Sequence, residues 1–154
     1  MSLVKKENSR GLTIRCADFN IVMKKPTLLK KLRKLTLYPY SGMNYEITSL
    51  ESLSKKRPVK CEALLAFYDG ELVGWALLSR ETSSFGFSNK PFKEGDGILF
   101  EIFIEDAYRR KRIGTKLLQI ARRKSNGDKL CVAPWDFGST RFYEKFKNYN
   151  YTRL

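Results

Sequence analysis

At 154 residues, 42% of them hydrophobic and 13% aromatic, the chain is the size of one ordinary domain and can bury a core without metal or disulfide help. It has no histidine and only three widely separated cysteines, Cys16, Cys61 and Cys131. That leaves no ligand set for the common zinc sites and excludes Ser-His and Cys-His nucleophile pairs. A net charge of +14 attracts anions such as nucleotides, nucleic acid and acidic proteins.

In chain order, residues 11–23 hold short β-prone pieces. Pro26 opens an amphipathic helix with Leu28, Leu29, Leu32 and Leu35 on one face and Lys30, Lys31, Arg33 and Lys34 opposite. A loop is expected over 38–44, where Pro39 and Gly42 fall, and a weaker helix over 46–54. Residues 61–68 and 71–79 are predicted strands, joined at Asp69-Gly70 by a two-residue turn. The polar stretch 82–96 is expected to be a loop. Residues 98–104 are apolar on both faces, which predicts a central strand. A helix follows over 114–124, packing through Leu117, Leu118 and Ala121 and ending at Asn126-Gly127. Residues 130–133 make a short strand broken by Pro134. Asp136 can cap a helix to about Lys147 with Phe142 and Phe146 inward, and 149–154 can form a last strand. The order is β-α-α-β-β-β-α-β-α-β. It combines a hairpin with a strand–helix–strand crossover, so a single domain over 1–154 with a mixed sheet and helices on both faces is expected. No run of ~18 apolar residues is present and the N-terminus lacks a secretory signal. With reduced core cysteines, this points to a cytoplasmic protein that does not span a membrane.

The segment between Ile104 and Leu117 carries the chemistry. It joins a central strand to a helix, a junction with unpaired N–H groups and a positive dipole end. Such an end suits an anion, yet Arg109, Arg110, Lys111 and Arg112 crowd it. A cation there is unfavourable by roughly 0.3–1 kcal/mol. A diphosphate among the four reverses that sign. The other basic clusters also suit a plain solvated surface.

Here the residues carry a resemblance. Ile104-x-x-x-Tyr108-Arg109-x-x-x-Ile113-Gly114-x-x-Leu117-Leu118 resembles motif A of the GNAT acetyltransferases, whose core is Arg/Gln-x-x-Gly-x-Gly/Ala. Trp135-Asp136-x-x-Ser139-x-x-Phe142-Tyr143-Glu144-Lys145 is similar to the family's motif B. Ala66 to Ala76 is similar to its second and third strands, and the likeness covers about residues 61–147. Two departures stand out. Arg112 occupies the place of the first motif A glycine, and the tail has room for one strand where the family adds two. A partner subunit in a homodimer, or a trimmed fold, would account for the short tail.

The resemblance implies an α/β (α+β) fold: a mixed, mostly antiparallel central sheet of about six strands flanked by about four helices. It implies acetyl-CoA as cosubstrate, no metal, and direct attack by an amine in a ternary complex. Backbone groups of Ile102, Phe103 and Ile104 would meet the pantetheine arm. Arg109, Arg110, Lys111, Arg112, Ile113, Gly114 and Thr115 would hold the diphosphate. Tyr143 matches the family's general acid. Asp136 stands where an asparagine usually contacts pantetheine, though a plain helix cap is its other role, and Ser139 is a small residue packing beside the cofactor. With no histidine, the base is a carboxylate, a water chain or none; Glu101 on the central strand is the candidate, with Glu81 a remoter option. The acceptor is an unidentified amine; the positive field suits one that is acidic or associated with nucleic acid and disfavours polycations. The rival readings are a silent binding protein of the same fold and a basic nucleic-acid-associated protein.

Overall fold

The computed structural model describes residues 3–9, 11–36, 42–81, 96–125, 130–132 and 151–153. They build one seven-stranded sheet in chain order: β1 Leu3–Ser9, β2 Leu12–Asp18, β3 Cys61–Tyr68, β4 Glu71–Ser79, β5 Gly97–Ile104, β6 Leu130–Val132 and β7 Tyr151–Arg153. Neighbours from β1 to β5 are antiparallel, whereas β5–β6 and β6–β7 are parallel. The physical reason lies in the connections. Tyr68 pairs with Glu71, so β3 and β4 are joined by Asp69-Gly70 alone, both at positive φ (50° and 87°) as the tight hairpin turn requires. A parallel neighbour needs a crossover, and helix α4 (Ile113–Lys124) supplies it between β5 and β6.

The remaining described helices are α1 (Phe19–Met23), α2 (Pro26–Leu35) and α3 (Gly42–Ser54). α1 departs from expectation, since the β-prone run Ile21-Val22-Met23 is helical. The Asp18 side chain accepts from the Asn20 amide at 2.8 Å, and Asn20 is clamped to Val59 through both its amide atoms, at 2.7 and 2.8 Å. These contacts, made 39 residues away, override local propensity. Gly42 to Asn44, expected in a loop, lie in α3, whose Met43, Ile47 and Leu50 make one buried face. β1 was not expected: its sequence, Leu-Val-Lys-Lys-Glu-Asn-Ser, lacks an apolar pattern because it is an edge strand. The count is therefore seven strands rather than about six. All but Asp96 of the predicted loop over 82–96, the Asn126-Gly127 stop and the helix over 136–147 lie outside the described residues.

The sheet separates two cores. α4 packs Ile113, Leu117 and Ala121 against Ile14, Leu64 and Leu78 on one face. α1 to α3 bring Phe19, Leu32 and Ile47 against Leu65, Trp75 and Leu77 on the other. Each such side chain contributes about 1.5–3 kcal/mol by burial. Trp75 ties the second core together. Its ring stacks on Phe19 at 6.5 Å, and its Nε1 donates to Thr36 Oγ1 at 3.2 Å just beyond α2.

Strands β4 and β5 approach unusually closely at Gly74. A Cβ there would lie 2.7 Å from the Phe103 carbonyl oxygen and 2.6 Å from Ile104 Cδ1. Gly74→Ala is expected to lower stability by about 1–3 kcal/mol through overpacking. Urea unfolding measures it, and an unchanged midpoint would mean that the strands part freely.

Candidate functional site

Helix α4 starts at a corner built by β5. After Ile104, the Glu105 amide donates to Val73 O at 2.8 Å, a 3-10 turn covers Asp106–Tyr108, and Arg109 is extended. Arg112 is the N-cap of α4, in left-handed conformation (φ 60°, ψ 21°), and its side chain makes no capping hydrogen bond. Arg110 is left-handed too, at φ 63°. A side chain in this region costs roughly 1–2 kcal/mol per residue. The place where motif A carries glycine is thus a place where the backbone wants one.

Lys116 N donates to Arg112 O at 3.0 Å and closes the first turn. Among the described residues, no acceptor meets the amides of Ile113, Gly114 and Thr115, as expected at a helix start. No acidic residue occupies that turn. The four cations are exposed. Arg109 Nε lies 3.1 Å from Asp106 Oδ1, and Lys111 Nζ sits 5.3 Å from the Tyr68 ring centroid, with Tyr108 packed beside that ring. Arg110 and Arg112 pair with no carboxylate among the described residues. Unpaired amides, the dipole and uncompensated cations converge, a set that fits a doubly charged phosphate linkage.

Just upstream, β5 carries a bulge. Leu77 pairs with Phe100 and Ala76 with Ile102, so Glu101 is an extra residue without a counterpart on β4. The alternation of faces flips there. Ile98 and Phe100 join the core under α1 to α3, while Ile102 and Ile104 turn to the α4 core and Phe103 to the opposite one. β6 pairs only with Gly97 to Leu99. Among the described residues, the β6-side edge of Phe100 to Ile104 is therefore open to an extended ligand. The chain places Glu101, Ile102, Phe103 and Ile104 on this half-buried stretch and leads directly into the residues 109–115 corner. Asp136, Ser139 and Tyr143 lie outside the described residues.

Glu81 is removed as a base. Arg57 holds it in a two-pronged ion pair (Nη1–Oε1 3.0 Å, Nη2–Oε2 2.7 Å), and Lys60 N donates to Oε1 at 2.6 Å. The Arg57 hydrogen bond is the largest influence and pulls its carboxyl below the ordinary value of 4.5 against the opposing effect of burial. It also follows the far end of β4 from Gly74. Cys61 is no nucleophile either: burial, opposed by a bond to Ser79 Oγ, pushes its thiol up to about 12.

Two measurements follow. Arg112→Gly removes the left-handed penalty and one cation from the dipole end, so stability without anion is expected to rise by about 1 kcal/mol while affinity for a diphosphate falls; a loss of stability would place the strain elsewhere. Because the folded pKa of Glu81 is depressed, its contribution is present above the unfolded value of 4.5 and lost as pH falls through the folded one. Acid unfolding below that pH is expected to be steeper in the parent than in Glu81→Gln, and equal slopes would remove Glu81 from the acid limb.

The acetyltransferase (GNAT) family profile matches residues 29–148. Among curated proteins, no sequence matches. Solved structures share the fold. The aminoglycoside N-acetyltransferase AAC(6')-Iy, bound to a CoA bisubstrate analog, aligns at TM-score 0.61 and 16% identity over 88% of this chain and 89% of its own. An acetyltransferase of Trypanosoma brucei aligns at TM-score 0.53 and 19% identity over 88% and 91%. One predicted for Clostridium acetobutylicum, with acetyl-CoA, aligns at 0.55 and 15% over 88% of each chain. A profile covering most of the chain, on a fold whose strand-to-helix corner suits a diphosphate, makes this protein a member of the acetyltransferase (GNAT) family, an N-acetyltransferase with acetyl-CoA as cosubstrate.

Proposed function

We propose that the chain acetylates an amine by direct attack within a ternary complex, with no covalent enzyme intermediate. The observation that carries this reading is the bulge at Glu101, one strand end away from an unpaired helix start ringed by Arg109, Arg110, Lys111 and Arg112. Residues 109–115 grip the diphosphate through amides assisted by arginine charge. The open edge of Ile102 to Ile104 offers backbone groups to the pantetheine arm. A backbone N–H there also meets the charge that develops on the acyl oxygen. Asp136 and Ser139 belong to the same cofactor-binding set. Acetyl-CoA, when bound, supplies the activated acyl carbon.

Proton handling falls to two side chains. An acceptor amine with pKa near ~10.4 must lose a proton, at a cost on the order of 4–5 kcal/mol at pH 7. Glu101, half-buried at the bulge, is the proposed base, and the protein's positive field lowers the acceptor's own pKa. Tyr143 is the proposed acid. Tyrosine near ~10 protonates a departing thiolate near ~8.5 with only a modest uphill step.

The net charge of +14 argues against polycationic acceptors for this chain, even though a structural neighbour is an aminoglycoside N-acetyltransferase. An acceptor that carries phosphate or carboxylate, or a protein amine beside nucleic acid, suits the surface better.

Calorimetric titration with acetyl-CoA, followed by a thiol-release screen over amine classes, tests the whole reading. Binding that weakens with salt and thiol release with at least one amine are expected. Binding without release from any amine would leave a silent binding protein. Tyr143→Phe is expected to lower turnover by about ten- to a hundredfold while acetyl-CoA affinity holds; equal rates would exclude Tyr143 from the chemistry.

A further inference from the structure

Arg15, on β2, is a half-buried cation without a counterion among the described residues. Its Nε is shielded from solvent and has no hydrogen-bond acceptor, and its guanidinium rests 5.0 Å from the centroid of the Phe67 ring. Two of the other half-buried arginines are paired: Arg33 with Glu51, and Arg80 with Glu62, Arg80 also donating to the Lys124 carbonyl at the end of α4. A buried donor left unmade is costly, and a half-buried guanidinium held beside an aromatic ring suits a planar or tetrahedral anion.

Its position links it to the reaction. Ile14 and Cys16 face the α4 core, so alternation turns Arg15 to the opposite side of the sheet. Arg15, Leu65, Trp75 and Phe103 form one row across β2, β3, β4 and β5. Three interstrand steps make that row about 14 Å long. Leu65 and Trp75 are fully covered by the helices above them. Phe67, Leu72 and Phe103 are only partly buried on the same face. They form an apolar strip from the Arg15 guanidinium to the strand end beside the Glu101 bulge.

We propose that Arg15 is a specificity-determining residue that binds an anionic group, carboxylate or phosphate, on the acceptor. The apolar part of the acceptor lies along Phe67 and Phe103, and its amine reaches the bulge. This assignment rests on the acyl-transfer reading above but adds the class of acceptor: an amphipathic amine with a negative group at its far end.

The test uses CoA-loaded protein and two probe series, ω-amino carboxylates and ω-aminoalkylphosphonates, with chains of about three to eleven methylenes to bracket the row length. Matching alkylamines are the control. Calorimetry is run on the parent, Arg15→Gln and Arg15→Lys. The parent is expected to bind an anionic amine at least about tenfold more tightly than the matching alkylamine, with an optimum chain length. In Arg15→Gln anionic amines and matching alkylamines bind alike, and Arg15→Lys recovers part of the preference. The relative strength of the carboxylate and phosphonate series identifies the anion. Equal binding of the anionic amines and the matching alkylamines by the parent, or a preference that survives in Arg15→Gln, overturns the proposal. Thiol release from acetyl-CoA is followed with the same probes. Arg15-dependent binding without thiol release upholds the anion site and overturns the transfer chemistry instead.

Discussion

A helix cannot begin without leaving its first amides unpaired, and among the described residues no side chain caps the start of α4. The residues around that start make matters worse rather than better. Four cations stand where the dipole is already positive, and two arginines occupy backbone conformations that favour glycine. Each feature costs stability in the free protein; a phosphate at the corner would offset the unpaired amides and the cations, but not the backbone strain. Strain and like charge stored at one corner, with ordinary packing behind it in Ile113, Leu117 and Ala121, are the signature of a place shaped for a ligand.

The corner works only because of what happens one turn earlier. The extra residue at Glu101 flips the faces of β5, so one strand serves two cores in succession. Before the bulge the strand is buried, with Ile98 and Leu99 paired on both edges; after it the strand is half-buried, and among the described residues β6 pairs no further than Leu99. Gly74 lets β4 stay in contact through this change, since any larger residue would strike the Phe103 carbonyl. Bulge, glycine and helix start therefore form one mechanical unit.

Charge completes the picture. Several acidic residues are spent on structure: Glu81 on Arg57, Glu51 on Arg33, and Glu62 on Arg80 and Lys124. Asp106 answers only one of the four corner cations. What remains is a positive field around the α4 start and, on the sheet face that carries the α1 to α3 core, Arg15 beside an apolar strip.

Much of this was legible in the amino acids. The α2 leucine stripe, the Asp69-Gly70 turn and the apolar run of β5 each obey a short-range rule of period or backbone sterics, and motif A announced the corner. The sequence by itself determined the class of the fold and the place of the α4 corner, because helix starts and turns depend on near neighbours. Tertiary structure alone decided that Ile21 to Met23 are helical, that the polar segment Leu3–Ser9 is an edge strand, and that Glu81 is locked to Arg57. It also decided that Glu101 is a bulge and that Arg15 Nε meets no hydrogen-bond acceptor among the described residues. Those outcomes depend on which strand pairs with which and in what register, and register is a contest among distant segments that no local pattern records.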